Sequence, residues 1–289
     1  MDGWALLLVL VAAVLHAAWN LAAKQVGRGG AAFVFLYCTV SAAVCGPIAL
    51  ALLLTGSARP QWTWLVAALG TALLHIGYGI VLQRGYAVGD LSLVYPLARG
   101  TGPLLSVLTA VILLGERPGW PGLVGALLVI GGVLIISVGG AAPGSSRRSR
   151  RAGIGYGVLT GAVIAGYTLW DAHAVTDWAV PPVIYFGSAS VAQSLLLLPM
   201  VLRDRPAVGA IWRAHRRQAL IVGLLSPLAY ILVLYAMQRA PVSLVAPARE
   251  FSIVIGGLVG WLLLGETQAA RRIVGSVVVF AGIVAIALA

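Results

Sequence analysis

Runs of about 20 apolar residues follow one another along the chain, near 3–23, 32–54, 62–84, 91–114, 120–139, 153–173, 180–201, 217–238, 242–264 and 270–288. A helix of that length rises about 30 Å, the thickness of a bilayer's hydrocarbon core, so each run is expected to cross the membrane. Charged and turn residues separate the runs, and the connections are short except over 140–152 and 202–216. The first of these, Gly-Gly-Ala-Ala-Pro-Gly-Ser-Ser-Arg-Arg-Ser-Arg-Arg, reads as a flexible, basic linker near the middle of the chain. It divides the sequence into 1–139 and 153–289, with five spans in each part and 140–152 between them.

The two parts repeat one another. Residues 92–99 read Ser-Leu-Val-Tyr-Pro-Leu-Ala-Arg, and 243–250 read Ser-Leu-Val-Ala-Pro-Ala-Arg-Glu. Each octet follows a Tyr-Ala pair (Tyr86-Ala87, Tyr235-Ala236) and runs into an apolar stretch closed by Leu-Leu-Gly-Glu, at Leu113–Glu116 and Leu263–Glu266. Arg99 and Glu116 stand 17 positions apart, as do Arg249 and Glu266. With an odd number of spans per repeat, the second copy enters the membrane in the opposite orientation. The expected fold is an all-α polytopic membrane protein of about ten transmembrane helices, arranged as two inverted five-helix repeats.

Composition supports this reading. The 289 residues are 61% hydrophobic and 9% charged, against about 25% charged in a soluble domain. The net charge of +11 sits mainly in the connections, with no basic patch interleaved with aromatics, so nucleic acid is not an expected partner. Asp2 precedes the first run without any Lys or Arg, so that run reads as a span and not a cleaved signal. Cys38 and Cys45 lie seven apart on one helix, about 10 Å along its axis and too far for a disulfide. The odd-numbered connections hold 14 Lys or Arg and the even-numbered ones 3, which places the odd connections in the cytoplasm and both termini outside.

Polar residues inside the spans are the candidates for chemistry. A charge at bilayer depth costs about 2.5–3.5 kcal/mol on insertion scales, so an arginine repeated at matching depth needs a reason. Arg99 and Arg249 each suit a carboxylate or phosphate of a solute. A second reading is an ion pair locking two helices, with Asp171 or Glu250 as partner. Arg249 and Glu250 are adjacent and point about 100° apart on a helix, which predicts separate partners for them. Pro96 and Pro247, close before the arginines, free backbone carbonyls and are the hinge candidates.

The first span carries His16, Trp19 and Asn20, and the sixth carries Tyr167, Trp170 and Asp171, so that Asn20 and Asp171 each follow a tryptophan. The third span carries His75 and Tyr78, and the eighth Pro227 and Tyr230. His16, His75, Asp171 and Glu250 are the candidates for coupling to a proton or another ion. Glu116 and Glu266 fall at span ends, where helix capping or solvated pairing accounts for them. Gly153, Gly157, Gly161 and Ala165 form a small-residue stripe for helix packing, as does the step from Gly256 to Gly260. The fifth and tenth spans are glycine-rich and nearly free of polar side chains, which suits packing or a homodimer contact. No metal-binding, nucleotide-binding or nucleophile motif stands out, so no cofactor, metal or catalytic residue is expected.

The segment from His16 to Lys24 (His-Ala-Ala-Trp-Asn-Leu-Ala-Ala-Lys), Pro96-Leu-Ala-Arg99 running to Leu113–Glu116, and Ala246–Glu250 running to Leu262–Glu266 resemble the EamA family of the drug/metabolite transporter superfamily. The resemblance covers essentially the whole chain. It implies a central cavity lined by spans 1, 3, 4, 6, 8 and 9, and a secondary transporter in the cell membrane that exports amino acids, related metabolites or drugs. It also implies cytoplasmic termini, opposite to the loop count. Taken with the residues, it predicts alternating access for a small carboxylate-bearing or zwitterionic solute. Arg99 and Arg249 would hold the anion, with Trp19, Asn20, Tyr78, Tyr95, Trp170 and Tyr230 around it. The alternatives are an integral-membrane enzyme or flippase acting on a lipid-linked substrate, and a non-transporting accessory subunit.

Overall fold

A computed structural model describes residues 1–26, 30–56, 59–88, 91–137, 147–255 and 269–289. The described residues are mostly helical, and none of them is in a strand. In chain order the helices are α1 (Gly3–Lys24), α2 (Gly30–Leu54), α3 (Trp62–Val88), α4 (Leu91–Ile112), α5 (Gly119–Ser137), α6 (Arg147–Thr176), α7 (Pro182–Arg203), α8 (Arg205–Met237), α9 (Val242–Arg249) and α10 (Ala269–Ala287). Among the described residues seven of these (α1, α2, α3, α5, α6, α7 and α8) are by themselves long and apolar enough to cross a membrane. The apolar parts of α4 and α10 are shorter, Leu97–Ile112 and Ile273–Ala287. The Leu263–Glu266 closer and the Gly256–Gly260 step lie outside the described residues.

Three boundaries differ from the sequence reading. The basic half of the linker is helical, because α6 begins at Arg147; arginine is a good helix former and the turn projects beyond the apolar run. The connection over 202–216 is mostly helix as well. Asp204 caps it by accepting from the Ala207 amide at 3.2 Å, and Ile211 packs against the cluster of Ala22, Val26 and Phe33. A kink at His215 (φ −134°, ψ 26°) then turns the chain into the apolar part of α8. The ninth span is broken: α9 stops at Arg249, and helical geometry resumes over 251–255. Pro247 has no N–H to give, and the Glu250 amide bonds to the Pro247 carbonyl at 2.9 Å, a tightened i→i−3 turn.

The pairing of helices follows the repeat. Helices α3, α4 and α6 pack together as one trio, and α8, α9 and α1 as the other. Exchanging the halves carries each trio onto the other. Two further pairs, α2 with α7 and α5 with α10, flank them. In α5 and α10 a Cβ on Gly125 would stand 2.7 Å from the Gly282 carbonyl oxygen, and one on Gly132 would stand 2.8 Å from that of Gly275. Seven residues forward in α5 therefore match seven backward in α10, so the two helices are antiparallel. Gly275 and Gly282 are Gly125 and Gly132 advanced by 150, the spacing of Arg99 and Arg249. The contact maps onto itself when the repeats are exchanged, as inversion requires. The small-residue stripe of α6 lies against α4, where a Cβ on Gly157 would meet the Leu97 side chain at 2.8 Å.

Candidate functional site

The polar side chains meet between the two trios. Arg99 on α4 directs Nη1 at Glu250 (3.4 Å), Nη2 at His16 Nε2 on α1 (3.2 Å) and Nε at the Tyr95 hydroxyl (3.4 Å). A guanidinium only donates, so His16 Nε2 accepts here. Glu250 is 1% exposed and takes a second cation, Arg249 Nε at 3.9 Å. The 100° separation expected of these neighbours fails because the helix ends at Arg249 and Glu250 lies in the cap. Arg249 is 4% exposed, and its Nε makes no hydrogen bond among the described residues. This centre thus holds two guanidiniums against one carboxylate.

Trp19 packs edge-on to His16 at 4.7 Å between ring centroids, and its indole nitrogen also lacks a partner among the described residues. Among the described residues Asn20 donates only to the His16 carbonyl of its own helix, at 2.8 Å. Tyr95 is exposed, and Arg99 Cζ stands 5.6 Å from its ring centroid. His16, Trp19, Asn20, His75, Tyr78, Arg99 and Tyr230 are all half-buried.

An aromatic column leads from this centre toward a second carboxylate. Tyr167 of α6 stands edge-on to Tyr78 (5.9 Å) and stacks on His75 (4.2 Å), which is edge-on to Tyr230 (5.7 Å). His75 Nδ1 lies 2.9 Å from the Thr71 carbonyl oxygen and 3.1 Å from the Thr71 hydroxyl. Tyr230 of α8 donates to Asp171, and so does Tyr185 of α7, at 2.6 Å. Asp171 is fully buried and no cationic side chain pairs with it among the described residues. Trp170 is occupied differently: its indole N–H donates to the Ala67 carbonyl at 3.0 Å, and the ring fills the space a Cβ on Gly70 would take.

Sequence reasoning did not find Tyr185 and Thr71. Tyr185 stands at the start of α7 without a charged neighbour to mark it, whereas Thr71 was accessible as the residue four before His75. The prolines differ in effect, since α4 runs unbroken through Pro96 while α9 ends two residues after Pro247. Glu116 acts as a cap, as expected of a span end, but for another helix: its carboxylate accepts from the Val242 and Ser243 amides at the start of α9, both at 2.9 Å. Gly115, at φ +69°, makes the reversal that aims it there. No cluster of three His, Cys, Asp or Glu that could hold a metal occurs among the described residues. A groove of about 500 Å³ opens between α2, α3 and α7, but it is apolar, lined by residues such as Leu50, Leu65, Leu69 and Leu195, and holds none of the candidates.

No curated relative matches the chain. A solved crystal structure of a protein is similar to it with a TM-score of 0.79 at 20% identity, over 100% of this chain and 98% of its own, a likeness that shows the fold. The profile of the EamA-like transporter family matches twice, over residues 3–138 and again over 151–288. Two matches in tandem span nearly the whole chain and coincide with the two copies seen in the α5–α10 contact: this multi-pass membrane protein belongs to the EamA-like transporter family.

Proposed function

We propose that the chain is a secondary transporter that moves a small monocarboxylate or amino-acid-like solute across the cell membrane by alternating access, in the direction of export. The observation that carries this reading is the charge at the centre. Arg99, Arg249 and Glu250 sum to +1 in a place where an unmatched charge is costly, and Arg249 has a donor free. One carboxylate completes the balance; a doubly charged phosphate would overshoot it. A zwitterion fits as well, its carboxylate on Arg249 and its amine on Glu250.

His16 and Trp19 border the same space, and Tyr78 and Tyr95 give it aromatic walls. His16 accepts from Arg99, so a proton arriving at Nε2 would displace that contact; it is the coupling candidate nearest the solute. Trp170 is assigned to packing in this reading, because its N–H is already used. The Tyr95 ring beside Arg99 favours solutes with an apolar portion.

The test is transport in proteoliposomes, after a thermal-shift screen of amino acids and monocarboxylates on the purified protein. Arg99→Lys and Arg249→Lys each retain charge but lose the planar fork, and each is expected to lower uptake by about tenfold or more. Transport equal to the parent in both variants would rule out anion binding by these side chains.

A further inference from the structure

The links between the trios are distributed unevenly along the membrane normal. Arg99 joins them near the middle, through Glu250 and His16. All other hydrogen bonds between them, among the described residues, lie toward the end that carries the α6–α7 and α8–α9 connections. There Tyr230 donates to Asp171, Gln238 donates to the Val175 carbonyl at 3.0 Å, and Glu116, just past α4, caps α9. Toward the opposite end Asn20 is turned to its own helix, and Tyr78 makes no hydrogen bond among the described residues.

The repeat shows what the open end lacks. Exchanging the halves carries α6 onto α1, so that Trp170-Asp171 falls on Trp19-Asn20, and carries α8 onto α3, so that Tyr230 falls on Tyr78. Tyr185 is the fourth residue of α7, and the fourth residue of α2 is Phe33, which has no hydroxyl and packs in the cluster of Ala22 and Val26. One end thus has a carboxylate that accepts from two tyrosines, and the other has a carboxamide whose one hydrogen bond among the described residues goes to its own helix, with Tyr37 of α2 packed beside Trp19 against that cluster. Hydrogen bonds to an ionised acceptor are roughly twice as strong as neutral ones.

We propose that Asp171, Tyr185 and Tyr230 are a latch that closes one end of the transporter, and that Asn20 and Tyr78 are its weaker counterpart, which forms only when the opposite end closes. The inequality biases the resting protein toward the form described here. This rests on the transporter reading, because it treats the two ends as alternative openings of one site.

The test exchanges the two residues and needs no solute. Spin labels at Thr176→Cys and Arg239→Cys report the latched end, and labels at Arg151→Cys and Gln25→Cys report the other, with Cys38 and Cys45 changed to Ala. In the swap of Asn20→Asp with Asp171→Asn, the bias is expected to reverse: the first distance lengthens and the second shortens. Tyr230→Phe alone is expected to move the ratio of the two forms about tenfold the same way. Adding Tyr78→Phe to the swap should abolish the gain at the second end. Parental distances in the swapped protein overturn the latch, and should the swap not fold, parental distances in Tyr230→Phe do so. Loss of solute binding in the arginine variants bears on the transport site alone and leaves these distances to decide the latch.

Discussion

Neutralising Glu250 separates a solute site from a helix lock, because the two make opposite predictions for binding. Its carboxylate lies 3.4 Å from Arg99 Nη1 and 3.9 Å from Arg249 Nε. At an effective dielectric of about 20, unit charges about 4 Å apart attract by roughly 4 kcal/mol, so Glu250→Gln removes two sizeable terms and leaves two guanidiniums facing each other. Removing one partner of a buried pair costs about 3–5 kcal/mol, and the purified variant is expected to melt earlier than the parent. A carboxylate solute then supplies the missing charge. In the parent that solute has to sit beside Glu250, and like charges about 5 Å apart repel by roughly 3 kcal/mol at the same dielectric. Relaxation and residual water absorb part of this, which leaves an expected gain of about tenfold or more in affinity for a monocarboxylate. An amino acid that uses Glu250 for its amine gains less. Thermal-shift titrations of parent and variant with both classes measure the difference. A variant that is destabilised and that no carboxylate rescues more strongly than the parent would mean that the charges only hold α4 to α9.

Three further expectations concern the frame around the site. Glu116→Ala removes the acceptor of two amides at the start of α9 and is expected to cost about 1–2 kcal/mol, read as earlier thermal unfolding, with Glu116→Gln recovering part of the loss. Trp170→Phe loses one hydrogen bond to Ala67, about 1 kcal/mol, and should leave solute affinity unchanged; a tenfold loss of affinity would return Trp170 to the site. A Cβ at Gly161 would fall 2.8 Å from the Thr101 Cβ and 2.9 Å from the Gly102 amide nitrogen, so Gly161→Ala is expected to force α6 from α4 and destabilise by about 1–3 kcal/mol in the same melt.

Hydrophobic run length was enough to place the helices, because a bilayer sets one required length and leaves little else to specify. It failed where a helix continues past the lipid. The arginines at the start of α6 and the Arg205–Ala214 part of α8 carry no apolar run, yet they are helical through propensity, an Asp204 cap and the packing of Ile211. The break in the ninth span was legible only as a proline, and proline is an ambiguous signal: Pro96, near the start of α4, leaves its helix whole, while Pro247 precedes a stop. For the candidate site, polarity at bilayer depth singled out Arg99, Arg249, His16 and Glu250, which lipid would reject, and the fold brings these four together. Spacing could not reveal that one carboxylate serves both arginines, or that Trp170 spends its donor on a neighbouring backbone. Those depend on where α9 ends and on how closely Gly70 lets α6 approach α3.

The repeat makes the two arginines equivalent in sequence, but their surroundings are unequal, and the inequality arises at the next residue. Position 250 is an acid, while its counterpart is Gly100, where a Cβ would stand 2.5 Å from the Leu134 side chain of α5. Continuous α4 turns that position into a helix contact with no room for a carboxylate. The end of α9 at Arg249 puts the matching position in the helix cap, where the acid folds back on Arg249 and reaches Arg99. Asn20 and Asp171 show the same division, with the charge again on the second copy. A symmetric frame allows two openings of equal shape, and acids placed at these two positions in the second copy alone give a solute and a resting state a direction to prefer. Restoring symmetry should therefore erase preference before it erases folding: with Asp171→Asn and Tyr185→Phe together, the latched end keeps one carboxamide and Tyr230, as the other keeps Asn20 and Tyr78, and the label distances at the two ends are expected to broaden into a mixture of both forms. A single narrow distribution at the parental distance would show that the bias comes from elsewhere in the frame.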